Sequence, residues 1–225
     1  MKYQKGVVGK VEKFVDNSVT TKNLIVSVAQ KNALKHLKKV CDNSTKDYPK
    51  IKNPKTIVFN RVYSIYADSI FNEVGIAKAL QLLGHKVKFY ICDGKLWNCT
   101  TVFTMKNPPN KMRCDSCIEL SNKFLKLADI PYESYKDILG DKTYDIPESR
   151  EERENFKYKG IDAGKHAKAS TKRFYLGLSP SKTKYDYDEF LKQRLLNGLA
   201  SIDIAEYSYK KEKPDILFSS HGCYS

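Results

Sequence analysis

The chain has 225 residues, 41% of them apolar, and a formal net charge of +14, a composition that can build a core and excludes a disordered segment. No apolar run approaches the roughly 20 residues needed to cross a bilayer, and the opening MKYQKGVVGKVEKF lacks the apolar stretch of a secretory signal, so the sequence reads as cytoplasmic. The charge is uneven: residues 1–55 hold 13 lysines and no arginine against Glu12, Asp16, Asp42 and Asp47, a field that attracts nucleic acid, an anionic membrane surface or anionic substrates, or else a solvated lysine face.

Residues 23–40 place Val26, Ala29, Ala33, Leu37 and Val40 at helical spacing, with Lys31, Lys35, Lys38 and Lys39 between them, the pattern of a basic amphipathic helix. The polar stretch 42–54, with two prolines, reads as a linker. It divides a basic helical extension, residues 1–50, from a main domain, residues 51–225. That domain opens with KTIVFN at 55–60, a buried parallel strand by composition. A loop at 61–69 follows, then a helix at 70–83 stopped by Gly84, then a second strand at 86–92. Strand, helix and strand make one right-handed unit. Further helices are predicted at 118–128, from Pro147 onward, where Glu148, Glu151 and Glu152 suit a positive helix end, and at 186–207. A last strand is predicted at 215–219. The alternation points to a doubly wound α/β domain with a mostly parallel sheet.

Ligands of such sheets bind beyond the carboxyl ends of the strands, which singles out three loops. The loop at 61–69 has no glycine, whereas a dinucleotide needs backbone close to its pyrophosphate, so NAD and FAD are disfavoured. Tyr63, Ser64 and Tyr66 offer rings and hydroxyls suited to a sugar, or simply form a polar loop. Glu73, in the helix that follows, is a candidate base for an acceptor hydroxyl, although an acid there also serves the helix dipole. The second loop carries Cys92-Asp93-Gly94, then Cys99, Cys114 and Cys117. In a reduced compartment four such thiols suggest a structural zinc, with an iron–sulfur cluster or no metal as the alternatives. Asp93 at the strand end is a candidate to contact substrate or carry a proton. The third loop holds His221 and Gly222, placed for acid–base work or for holding a hydroxyl or phosphate, unless the histidine makes only a local hydrogen bond.

The stretch from KTIVFN through NEVGIAKALQLLGHKVKFYICDG resembles the opening of GT-B glycosyltransferases, with Gly84-His85-Lys86-Val87 as the turn into the second strand. CDG at 92–94, Cys99, the CxxC at 114–117 and the PDxxxxxHGxY of Pro214 to Tyr224 are similar to the N-terminal, acceptor-side domain of glycosyltransferases of capsule and surface polysaccharide biosynthesis. Gly160, Gly164, Ser170 and Arg173, in GIDAGKHAKASTKR, belong to the same resemblance. It implies a Rossmann-like GT-B N-terminal half with a helical basic extension and a cysteine-rich insertion. It also implies transfer of a sugar from a nucleotide donor to a glycan or lipid-linked acceptor, at the inner face of the membrane. The donor-binding domain is expected outside this chain, in cis or in trans. Gly94, Arg173, Gly222 and Tyr224 are then candidate substrate contacts, with Asp93, Glu73 or His221 taking the hydroxyl proton. The alternative is a zinc-stabilised, non-catalytic module that uses its basic N-terminal region on nucleic acid or an anionic membrane. Nucleic acid is disfavoured because no reader motif is present.

Overall fold

The computed structural model describes residues 19–42, 48–61, 67–96, 111–175 and 186–219. Strands β1 (Thr56–Arg61), β2 (Lys86–Ile91), β3 (Tyr132–Ser134) and β4 (Ile216–Phe218) form one sheet in the order β3-β2-β1-β4. Every pairing is parallel, with β1 and β2 in register from Thr56 opposite Lys86 to Arg61 opposite Ile91. The chain thus builds outward from β1 to β3 and then returns past β1 to add β4. Asp215 anchors that return, accepting the backbone N–H of Thr56 at 2.8 Å and the Lys55 ammonium at 3.1 Å. Strand order reverses between β1 and β4, and open α/β sheets bind ligands beyond the carboxyl ends of strands at such a point.

Strand side chains alternate between faces, and both faces of β1 are covered. Ile57 and Phe59, with Val87, Phe89 and Ile91, pack against α1 (Val19–Asp42), α2 (Ala67–Leu82) and α3 (Lys111–Leu127), through Leu37, Ile70, Val74, Leu120 and Phe124. Phe59 stacks on Phe89 at 4.6 Å. On the other face Val58 and Tyr90 meet α4 (Tyr135–Leu139) and α7 (Tyr187–Glu212), through Tyr135, Leu139, Ala200 and Ile204. This two-sided burial explains the uninterrupted apolar run of β1. Helices α5 (Arg150–Glu154) and α6 (Ala163–Phe174) lie between α4 and α7. Ala163 and Ala167 of α6 pack on Leu191, Leu195 and Leu199 of α7, forming a third apolar cluster.

Several boundaries differ from those the sequence predicts. Helix α1 does not stand apart as an extension, because Ala33 and Leu37 lie in the same cluster as β1 and β2. An apolar helical stripe is stable only when covered, and the described part of the connector is itself tied down, Ile51 N donating to Leu83 O at 3.0 Å. Helix α3 begins at Lys111, so Cys114 and Cys117 sit on a helix and not in a loop before one. The helix expected from Pro147 starts at Arg150, because Ser149 caps it, its hydroxyl accepting the N–H of Glu152 and donating to the Glu152 carboxylate at 2.6 Å. Helix α7 runs on past residue 207 until Lys213 adopts a left-handed φ of 45°. Gly84, at φ 101°, is the stop predicted after α2. Among the described residues no helix is long and apolar enough to cross a membrane.

Candidate functional site

Arg61 ends β1 with its side chain only 3% exposed, and it pairs with Glu73 of α2, itself 6% exposed. Arg61 Nη2 also donates to Ser69 Oγ at 3.3 Å. The Glu73 carboxylate is therefore engaged in a buried ion pair, although its Oε1 has no hydrogen-bond partner. Because α2 starts at Ala67, Glu73 lies in the second turn, away from the dipole position that the sequence suggests. Asp93, just after β2, accepts the backbone N–H of Lys136 at 3.1 Å and so ties this loop to the start of α4. Gly94 has a φ of 90°, and a Cβ there would lie 3.2 Å from the Cys114 sulfur. The loop opened by buried Cys92 thus rests against α3, whose Cys114 and Cys117 are one turn apart. Among the described residues no three His, Cys, Asp or Glu side chains converge as metal ligands. Arg173 is exposed in the last turn of α6. Tyr63, Ser64, Tyr66, Cys99, His221, Gly222 and Tyr224 lie outside the described residues.

A cavity of about 530 Å³ lies where Asn60, near the carboxyl end of β1, meets the first turn of α6 and the middle of α7. Its size is in the range of small-molecule sites. The polar lining is Asn60, Lys159, His166, Ser201 and Glu206. Ile161, Ala163, Ile202 and Ala205 supply apolar walls, with Gly198 between them. Each element reaches the cavity for a local reason. Tyr158 and Ile161 exchange backbone hydrogen bonds, each at 2.9 Å. Lys159 at φ 50° and Gly160 at φ 81° therefore form a two-residue turn with both central residues left-handed. Such a turn prefers Asn-Gly, and a lysine at its first position is held there by tertiary contacts against its backbone preference. At Gly164 a Cβ would fall 2.2 Å from Arg153 O and 2.6 Å from Phe156 N, so only glycine lets α6 begin against the end of α5.

The contacts holding Lys159 come from α7. Its ammonium bonds Asp203 Oδ1 at 2.6 Å and also pairs with Glu206. Asp203 is 7% exposed and further accepts Tyr144 OH at 2.7 Å, Tyr158 OH at 3.1 Å and the Lys142 ammonium at 2.5 Å. Burial pushes the Asp203 carboxyl up, but hydrogen bonds from Lys142, Lys159, Tyr144 and Tyr158 outweigh it and hold the group at about 2. Hydrogen bonds from Lys159 and Lys210 hold Glu206 at about 2 as well. The same contacts push Lys159 above the ordinary lysine range, Asp203 first and Glu206 second. Both carboxylates and the ammonium are consequently charged at neutral pH, fixed on a rigid helix and a tight turn. Asn60 Oδ1 accepts the Tyr135 hydroxyl, which orients the amide at the cavity floor.

This arrangement suits hydrogen bonding to a ligand with several hydroxyls, with apolar carbon faces laid on the Ile161 and Ile202 side. It does not cradle a phosphate on a helix end. The first N–H groups of α6 are already used, Gly164 N on Phe156 O at 2.8 Å and Lys165 N on Asp162 O at 3.1 Å. Sequence reasoning marked Gly160 and Gly164 without a role and missed Lys159, His166, Ser201, Asp203 and Glu206. The available signal was the Lys-Gly pair, a hairpin-turn dipeptide in all but its first residue. Comparison with known proteins finds no matching family, no similar curated protein and no similar solved structure.

Proposed function

We propose that the domain binds a polyhydroxy acceptor, a glycan or the sugar of a lipid-linked glycan, in the cavity between β1, α6 and α7. In this reading it forms the acceptor side of a GT-B type glycosyltransferase, with nucleotide sugar held by a separate donor-binding domain in cis or in trans. The observation that carries the proposal is the cavity itself, beside the carboxyl end of β1 and with Glu206, Lys159, Asn60 and Ser201 in its lining. A carboxylate and an ammonium fixed side by side match the donors and acceptors of adjacent hydroxyls, and the apolar walls match the carbon face of a sugar ring.

Transfer requires the attacking hydroxyl to lose its proton as the new glycosidic bond forms. His166 is the imidazole in the cavity lining and takes that role here, while Lys159 and Glu206 orient the ring. His221 and Asp93 are the further candidates from sequence. The leaving nucleotide diphosphate needs cationic or backbone donors, and the resemblance to GT-B enzymes assigns them to the donor-binding domain. A cytoplasmic site at the inner face of the membrane goes with this reading.

Isothermal titration calorimetry of the 225-residue chain tests it. Oligosaccharides should bind and UDP-sugars should not. Gly198→Leu, which projects a branched side chain into the cavity and leaves every charged group in place, should weaken the glycan heat without lowering Tm. Micromolar binding of UDP-sugars by the chain alone, or glycan binding unchanged by Gly198→Leu, would overturn the proposal.

A further inference from the structure

We infer that the outer face of α1 docks the domain on an anionic bilayer surface. At 3.6 residues per turn, Lys31, Lys35, Lys38 and Lys39 fall within an arc of roughly 100°, on the side opposite Ala33 and Leu37, which are buried against α2 and α3. All four lysines are exposed, and among the described residues no carboxylate pairs with any of them. Asp42 shares the arc and leaves it three charges positive. Val28 lies within the same arc and is 49% exposed.

These features favour lipid over nucleic acid. An exposed valine among lysines gains by entering the boundary between headgroups and acyl chains, whereas a phosphate backbone offers it nothing. Lysine is a compact point charge that suits anionic headgroups, while nucleic-acid surfaces rely on arginine forks and aromatic stacking. Residues 28–42 contain no arginine and no Phe, Tyr or Trp. The burial of Ala33 and Leu37 fixes which side of α1 faces outward, so the domain would sit on the membrane in one orientation. This inference is independent of the cavity and of what it binds.

Vesicle flotation with the full chain tests it, using phosphatidylcholine alone and phosphatidylcholine mixed with phosphatidylglycerol. The chain should float only with the mixed vesicles, and less well as salt is raised. At about 5-fold per lysine, replacing all four with glutamine should weaken partition by ~10²–10³-fold, and replacing all four with arginine should retain it. Val28→Ser should weaken vesicle binding several-fold and leave Tm unchanged. Absence of flotation, flotation that survives the four glutamines, or failure of the arginine variant to float would each overturn the proposal. So would binding of duplex DNA or RNA that exceeds vesicle binding at the same salt.

Discussion

Asp203 gathers two ammonium groups and two phenols around one position of α7, and its removal would leave all four without their shared acceptor. Breaking a buried pair from one side costs more than the pair is worth, because the remaining charge stays desolvated. Lys142 and Lys159 are 41% and 39% exposed and can turn toward water. Asp203→Asn is therefore expected at the lower end of that range, about 3 kcal/mol, read as a fall in Tm of roughly 6–12 °C. Acid should act through the same groups. Asp203 and Glu133 both have carboxyls at about 2 in the folded chain, Glu133 because hydrogen bonds from Lys211, Tyr207 and Lys88 outweigh the opposing effect of burial. A depressed folded value stabilises the fold fully above the unfolded carboxyl range near 4. That contribution is lost as pH falls from about 4 toward 2. A Tm profile from neutral to acid pH should drop through this window, and less steeply in Asp203→Asn. A profile identical in the two proteins would show that Asp203 is not held as described.

At the scale of elements, two glycines make opposite predictions. Gly164 sits where α5 and α6 meet backbone to backbone. Gly164→Ala is expected to cost about 3 kcal/mol, because the clashing atoms are main chain and cannot rotate away. Gly198 lies inside α7, and a Cβ added there would meet nothing within 4 Å. Gly198→Ala should raise stability by about 1 kcal/mol through helix propensity alone. Thermal unfolding of the two variants side by side checks both, and an unchanged Tm for Gly164→Ala would contradict the α5–α6 approach. The central elements were legible because β1, α2 and β2 each carry their own signal, an apolar run, a 3.6-residue period and a glycine stop. The sequence puts the start of α5 at Pro147 because an acidic turn follows it, whereas the cap at Ser149 sets the actual start. The cavity was illegible for a different reason. Its lining comes from position 60, from 159–166 and from 198–206, and no local pattern announces that these segments converge. Glu73 shows the converse case, a carboxylate correctly placed at the strand ends and then claimed by Arg61.

At the scale of the whole molecule, α1 belongs to the domain and not to an appendage. Leu37 is fully buried against α2 and α3, so Leu37→Ala should cost about 2–5 kcal/mol and lower Tm by at least about 5 °C. A dispensable extension would tolerate the change without effect. The sequence suggested separation because residues 42–54 are polar and contain two prolines, but such a connector need not divide two cores. Charge behaves differently at this scale, since the lysine excess of residues 1–55 is a property of the surface and leaves the packing of α1 unaffected.

The position of β4 also sets a timetable. β1 and β2 are both synthesised early, but the other edge of β1 waits for a strand whose anchor, Asp215, lies 160 positions beyond Lys55. At ordinary elongation rates that interval is on the order of 10–30 s. For that time the nascent domain presents an unpaired apolar strand edge, the kind of surface on which neighbouring chains aggregate and chaperones act. The pairing of β1 with β4 is thus the last part of the sheet to exist, and the sheet is closed on that side only once synthesis has passed β4.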